Sequence, residues 1–197
     1  MMICNGQNET RRASAGWRAL CGLLALAFLA ACQSGSVVKN EAAAGGDKKK
    51  EVVQVGDFDV PIIDGKTTKL SEITSRNKVV VFDFWATWCG PCRMEIPHLI
   101  ELHKDYKDKG VDVIGLTTED PQADADKVRD FMKEMKISYE VGFASNRMFM
   151  TMTRNSGSIP QTMVFDRNGK LVSWIRGFTP DIGNRLRAAV DKALQQS

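Results

Sequence analysis

Apolar positions are unevenly spaced along the chain, and their spacing divides it into elements. In residues 78–84, Lys78 is followed by a run of β-branched and aromatic residues that continues into Trp85 and is broken once, by Asp83. No helical period runs through it, so it predicts a buried strand. The run ends at Cys89-Gly90-Pro91-Cys92, and 93–107 then turns amphipathic, with Ile96, Leu99, Ile100 and Leu102 on the inner side. Pro97 falls inside this helix, where a missing N–H donor predicts a kink. Upstream, 56–66 alternates around Asp64-Gly65, a hairpin signal, and 70–73 suits a short helical turn. Downstream, 111–116 predicts a second strand, parallel to the first across the helical crossover. Residues 125–136 form a helix with Val128, Phe131, Met132 and Met135 inward, followed by a short strand at 139–141 and a helix at 145–152. Strands at 161–166 and 171–175 flank Arg167-Asn168-Gly169, a second hairpin signal. A last helix, 181–194, turns Ile182, Leu186, Ala189, Val190 and Leu194 inward. A β-α-β unit followed by a hairpin and a helix predicts an α/β fold, a sheet covered on both faces.

The first 31 residues stand outside this pattern. Arg11, Arg12 and Arg18 make a positive start, 19–28 is apolar but shorter than the ~20 residues of a membrane span, and small residues precede Cys32. This predicts a secretory signal. Leu29-Ala30-Ala31-Cys32 resembles a bacterial lipobox, which implies that Cys32 is lipidated and begins the mature chain. Residues 33–51 hold almost no large apolar side chain and read as a flexible tether with a typical span of ~20–25 Å. The folded domain is then 52–197, the usual size of one domain. Gln33, rather than Asp, follows Cys32, which by lipoprotein habit favours the outer membrane and places the domain on the periplasmic side.

Removing that signal changes the arithmetic. The chain has 27 Lys plus Arg against 24 Asp plus Glu, and loss of Arg11, Arg12, Arg18 and Glu9 leaves 24 against 23. No basic surplus remains to attract nucleic acid. Of five cysteines, only Cys89 and Cys92 stay as thiols. Exported proteins use cysteines as staples, but a Cys-X-X-Cys closes a loop too short to staple a fold, so the pair reads as catalytic. The strand delivers Cys89 to a helix start, where free N–H groups and the helix dipole stabilise a thiolate. Cys92, one turn further on, is within reach for a disulfide.

No metal is expected. From Cys92, His103 returns to the same helix side only after ~16 Å and His98 points elsewhere, so one zinc cannot hold them; both histidines are expected to face solvent. Met148, Met150 and Met152 alternate, a pattern open to copper(I) but explained more simply as core packing.

Phe84-Trp85-Ala86-Thr87-Trp88-Cys89-Gly90-Pro91-Cys92 closely resembles the active-site segment of thioredoxin-like proteins. With Ser158-Ile159-Pro160-Gln161-Thr162 and the extra helix and strand between 125 and 152, the domain resembles the tethered TlpA/ResA group. The resemblance implies a thioredoxin-like fold: a central mixed β-sheet flanked by helices, with an N-terminal hairpin and a helix/strand insert. It implies thiol–disulfide exchange without a cofactor beyond the Cys89–Cys92 disulfide. Cys89 would be the accessible attacking thiolate and Cys92 the shielded resolving thiol. Gly90 lets the turn close, Pro91 fits the first helical turn, and Trp88 would cover one side of the pair. Pro160 would be the cis-proline whose neighbour Ile159 pairs with an extended substrate. Asp83 and Glu95 are both candidates to take the Cys92 proton, and the apolar strand around Asp83 favours it. Cys-Gly-Pro-Cys favours a reductase of exported protein disulfides, apocytochrome c among them, recharged by a membrane electron donor. A disulfide oxidase or isomerase, or a copper-handling binding protein, are the alternatives.

Overall fold

The computed structural model describes residues 57–77 and 79–196. The expected signal, lipid site at Cys32 and tether lie outside the described residues.

The buried run is β3 in a chain that begins with two short strands. β1 (Asp59–Pro61) and β2 (Thr67–Lys69) pair antiparallel around a loop in which Gly65 adopts a positive φ of 93°. The hairpin therefore forms, closed by a five-residue loop rather than a tight turn. The expected turn at 70–73 extends into a helix, α1 (Leu70–Arg76), that buries Leu70 and Ile73. Next come β3 (Val79–Trp85), α2 (Gly90–Tyr106), a 3-10 turn at Lys107–Lys109 and β4 (Val111–Thr117). α3 (Ala125–Met135), β5 (Glu140–Phe143) and α4 (Asn146–Met152) follow, then β6 (Gln161–Asp166), β7 (Leu171–Arg176) and α5 (Ile182–Gln195). α2 runs continuously through Pro97. β5 starts one residue later and ends two residues later than its sequence pattern suggested, because it pairs with β4 up to Phe143.

The main sheet has the order β5-β4-β3-β6-β7. β3 is parallel to β4, and β4 to β5, while β6 runs antiparallel to both β3 and β7. This is the expected mixed sheet. Strand alternation divides β3 between two cores. Val79, Val81 and Trp85 face a layer built from α2, α3 and α5; Val80, Phe82 and Phe84 face the opposite layer of α1 and α4. β3 is buried on both faces, which is why its sequence is a run and not an alternation.

α4 resolves the methionine pattern. Its helical turn sends Met148 and Met152 into the second core, beside Phe84 and Phe149, whose rings lie 5.3 Å apart. Met150 is half-buried and packs against the same core, so the spacing of two that suggests a ligand row is core packing.

The histidines correct another expectation. Both are half-buried instead of solvent-facing. A Cβ on Gly183 of α5 would come within 3.0 Å of His98 Nδ1, so the glycine admits the ring. His103 meets the edge of Tyr139, and burial lowers its pKa, with the Asp112 charge acting the other way. Packing of α2 against α5 and the segment before β5 was invisible in the helix sequence alone.

Candidate active site

β3 and β4 are parallel, so both end at one edge of the sheet. Trp85 lies opposite Thr117, and the Thr118 N–H donates to Trp85 O at 3.0 Å. The chain leaving β3 crosses this edge as Ala86-Thr87-Trp88 and enters α2 at Cys89. Glu119, just past the end of β4, meets that crossing. Its carboxylate accepts from Thr87 N at 3.1 Å, from the Thr87 hydroxyl, from the Thr117 hydroxyl at 2.9 Å and from Lys127 Nζ at 2.6 Å. Burial works against its charge, but the hydrogen bonds from Lys127, Thr87 and Thr117 outweigh it and hold the carboxyl below its usual range. Glu119 thus fixes the turn that carries Trp88 and Cys89. Sequence reasoning missed it; the signal was an acid two residues beyond a strand that ends beside the cysteine turn.

Cys89 is the N-cap of α2, and Pro91 occupies its first turn, where no backbone donor is needed. The two cysteines form a disulfide. Cys89 Sγ also accepts the Cys92 N–H at 3.2 Å, one of the free amides at a helix start that favour a sulfur anion there. In this disulfide state Cys92 is fully buried and Cys89 retains 4 % exposure, the more open of the two but nearly covered. As N-cap its sulfur turns back over the first helical turn, which the linear motif does not reveal. Trp88 instead stands out, at 70 % exposure, with Met94 also exposed on the following turn. Trp88 is therefore no core residue.

A buried acidic pair lies beneath the disulfide helix. Asp83 is fully buried on the α2 side of β3. Register places Thr162 of β6 opposite it on one side and Gly115 of β4 on the other. Glu95, three residues after Cys92 and therefore on the same helix face, is 1 % exposed. The Thr162 hydroxyl reaches both carboxyls: Asp83 Oδ1 at 3.5 Å and, through a short bond, Glu95 Oε1. Burial and then the Glu95 charge push the Asp83 pKa well above the carboxylate range, against the Thr162 hydrogen bond. Burial pushes Glu95 up to about 7, opposed by Thr162 and by the positive charge of Arg185. Sequence reasoning named both acids and ranked Asp83 first; the structure joins them. Thr162 was quoted only as part of a motif, although a threonine facing inward from a core strand was a signal.

The Ile159–Pro160 peptide bond is cis. Gln161 braces the loop before it: its amide nitrogen donates to Ser158 O at 2.6 Å and Ser156 O at 3.1 Å, and its oxygen accepts from Trp174 Nε1 at 2.9 Å. Among the described residues, no backbone–backbone hydrogen bond engages Ile159. Also among the described residues, no cluster of three or more His, Cys, Asp or Glu side chains is arranged to hold a metal ion.

Comparison with known proteins bears on the same features. The sequence model of the AhpC/TSA family matches residues 53–174. The thiol–disulfide oxidoreductase ResA of Bacillus cereus is 32 % identical over 132 residues, covering 65 % of this chain and 73 % of that protein. ResA of Bacillus subtilis is 26 % identical over 146 residues, covering 74 % and 78 %. Among solved structures, a thiol:disulfide interchange protein of the thioredoxin family from Chlorobium tepidum superposes with a TM-score of 0.58 at 26 % identity, covering 70 % of this chain and 92 % of that one. With a mixed sheet that delivers a Cys-Gly-Pro-Cys disulfide to a helix start, and with these relatives, the chain belongs to the AhpC/TSA family and is a thioredoxin-like thiol–disulfide oxidoreductase of the ResA type.

Proposed function

We propose that this oxidoreductase works outside the cytoplasm as a lipid-anchored reductase of disulfides in exported proteins, apocytochrome c among its substrates. One observation carries the reading: the disulfide lies at the start of α2, with Cys89 Sγ on the Cys92 N–H and a buried acidic pair behind Cys92. In the reduced state the Cys89 thiolate attacks a substrate disulfide and releases one substrate sulfur as a thiolate, leaving a mixed disulfide. Cys92 loses its proton to the acidic pair and attacks Cys89 Sγ. The Cys89–Cys92 bond forms as the bond to substrate breaks, and two electrons have passed from the dithiol to the substrate. Trp88, Gly90 and Pro91 on one side, and Ile159 and Pro160 on the other, form the docking surface. An extended substrate strand would find the Ile159 backbone free to pair.

Residues 1–31 support the location as a secretory signal, Cys32 as the lipid site and 33–51 as a tether leading to the domain at 52–197. A reductase in that compartment needs electrons from across the membrane. Among the described residues no helix is long and apolar enough to span it, and a separate membrane protein would supply them. The Gly-Pro dipeptide supports the reducing direction.

The test is the reduction potential of the pair, by equilibration against glutathione or dithiothreitol. A value near about −270 mV supports the reductase; one near about −120 mV makes the chain a disulfide donor and overturns the direction.

A further inference from the structure

A threonine hydroxyl carries a single proton. The Thr162 hydroxyl nevertheless lies within hydrogen-bond distance of two buried carboxyls, Asp83 Oδ1 and Glu95 Oε1. Two ionised carboxylates would leave it one proton short, since it can donate to only one of them. Both contacts are satisfied together only when one carboxyl is protonated and donates to Thr162 Oγ1 while the hydroxyl donates to the other. Like charges buried side by side also resist simultaneous ionisation.

We propose that Thr162 is the positioning residue that joins Asp83 and Glu95 into one unit holding a single proton, with the proton on Asp83 and the charge on Glu95. This inference rests on the redox reading of Cys89 and Cys92 and deepens it. The arrangement follows from the cross-sheet row Ile175, Thr162, Asp83, Gly115 and Val141, one residue from each strand on the α2 face. Asp83 lies deepest, in the middle strand. Glu95 enters from α2 above, on the face that also carries Cys92, with Arg185 of α5 as the nearby positive charge. Tyr139, in the segment before β5, presents a buried phenol whose hydroxyl has no hydrogen-bond partner. Burial, reinforced by the negative charge of the acidic pair, keeps that phenol protonated. Asp83 Oδ2 also has no partner. Among the described residues, Arg185, Tyr139 and, once the disulfide is reduced, Cys92 are the charged or titratable neighbours of the pair.

The division of labour has a chemical use. In the resolving step the Cys92 S–H bond breaks and its proton goes to the Glu95 carboxylate, so that the pair holds two protons. The Cys92 thiolate then forms its bond to Cys89 Sγ as the Cys89–substrate bond breaks, and the electron pair leaves on the substrate sulfur. That thiolate takes up one proton and the pair gives one back, restoring the single-proton state.

The test is a carboxyl-carbon NMR titration of the full chain, labelled at Asp and Glu, for wild type, Thr162→Val and Thr162→Ser. In wild type the Asp83 and Glu95 signals should share two inflections, the mark of a coupled pair. Thr162→Val removes the donor that favours ionisation. The lower inflection should then move up by about one pH unit, and because the wild-type carboxyl titrates near 7, its ionised fraction, and with it the resolving rate at pH 7, should fall by about fivefold. Thr162→Ser keeps a hydroxyl and should recover the wild-type curve and rate. Independent single-step titrations of the two carboxyls in wild type overturn the proposal, whether or not the valine variant folds. So does a serine variant that behaves as valine does. Shared inflections in a chain whose dithiol reduces no protein disulfide would overturn the proposed function and leave the Thr162 assignment standing.

Discussion

Replacing Glu95 by glutamine should stabilise the protein at alkaline pH. The carboxyl is 1 % exposed and its pKa is raised from 4.5 to about 7. In the unfolded chain it returns to its ordinary value. Between those two values the native state therefore holds the proton that the unfolded state has lost, and stability falls as pH rises. Below about pH 4.5 both states are protonated and there is no cost; above about pH 7 the full cost is felt. A pKa raised from 4.5 to about 7 corresponds to a native-state penalty of about 3 kcal/mol. Glutamine stays neutral throughout and can still hydrogen-bond Thr162 Oγ1. The assay is urea unfolding of the oxidised chain at pH 4.5, 6, 7 and 8.5 and constant ionic strength, followed by circular dichroism. With a slope of about 2 kcal/mol/M, Glu95→Gln should raise the midpoint by about 1.5 M at pH 8.5 and leave it nearly unchanged at pH 4.5. At pH 7 the same variant should resolve mixed disulfides more slowly, a stability gain set against lost function. Equal pH slopes for variant and wild type, or a variant less stable at pH 8.5, would refute the argument that a buried charge is held there at a cost.

Two further outcomes follow from the packing. Glu119→Ala leaves the Thr87 N–H and hydroxyl and the Thr117 hydroxyl without their acceptor; a loss of about 2–3 kcal/mol is expected in urea unfolding, and no measurable loss would mean that Glu119 does not hold the turn. Gly115→Ala places a methyl 2.8 Å from Trp85 Nε1 and 3.0 Å from Tyr139 Cε2, beside Asp83 in register. It should cost about 1–3 kcal/mol in thermal melts and alter the Trp85 fluorescence, whereas a neutral variant would show that the core yields there.

Much of the protein was determined by the chain itself. Periodicity placed every strand and helix of the main domain to within a few residues, because burial on one or two faces imposes a period that side chains cannot hide. The thiol pair was equally local: a strand, a Gly-Pro turn and a helix start lie within one contiguous segment, and their chemistry follows from that order. Tertiary structure decided what depends on partners distant in sequence. Whether Cys89 is open or recessed depends on how its side chain turns over the helix it caps. His98 and His103 are half-buried because α2 meets α5 and the segment before β5. Asp83 and Glu95 could be named from the sequence but not joined, since Thr162 reaches them only through antiparallel pairing of β3 with β6, across 79 residues for Asp83 and 67 for Glu95. Glu119 meets Thr87 only because parallel strands end at the same edge. A linear pattern records which faces are apolar; it does not record which polar groups a sheet brings side by side.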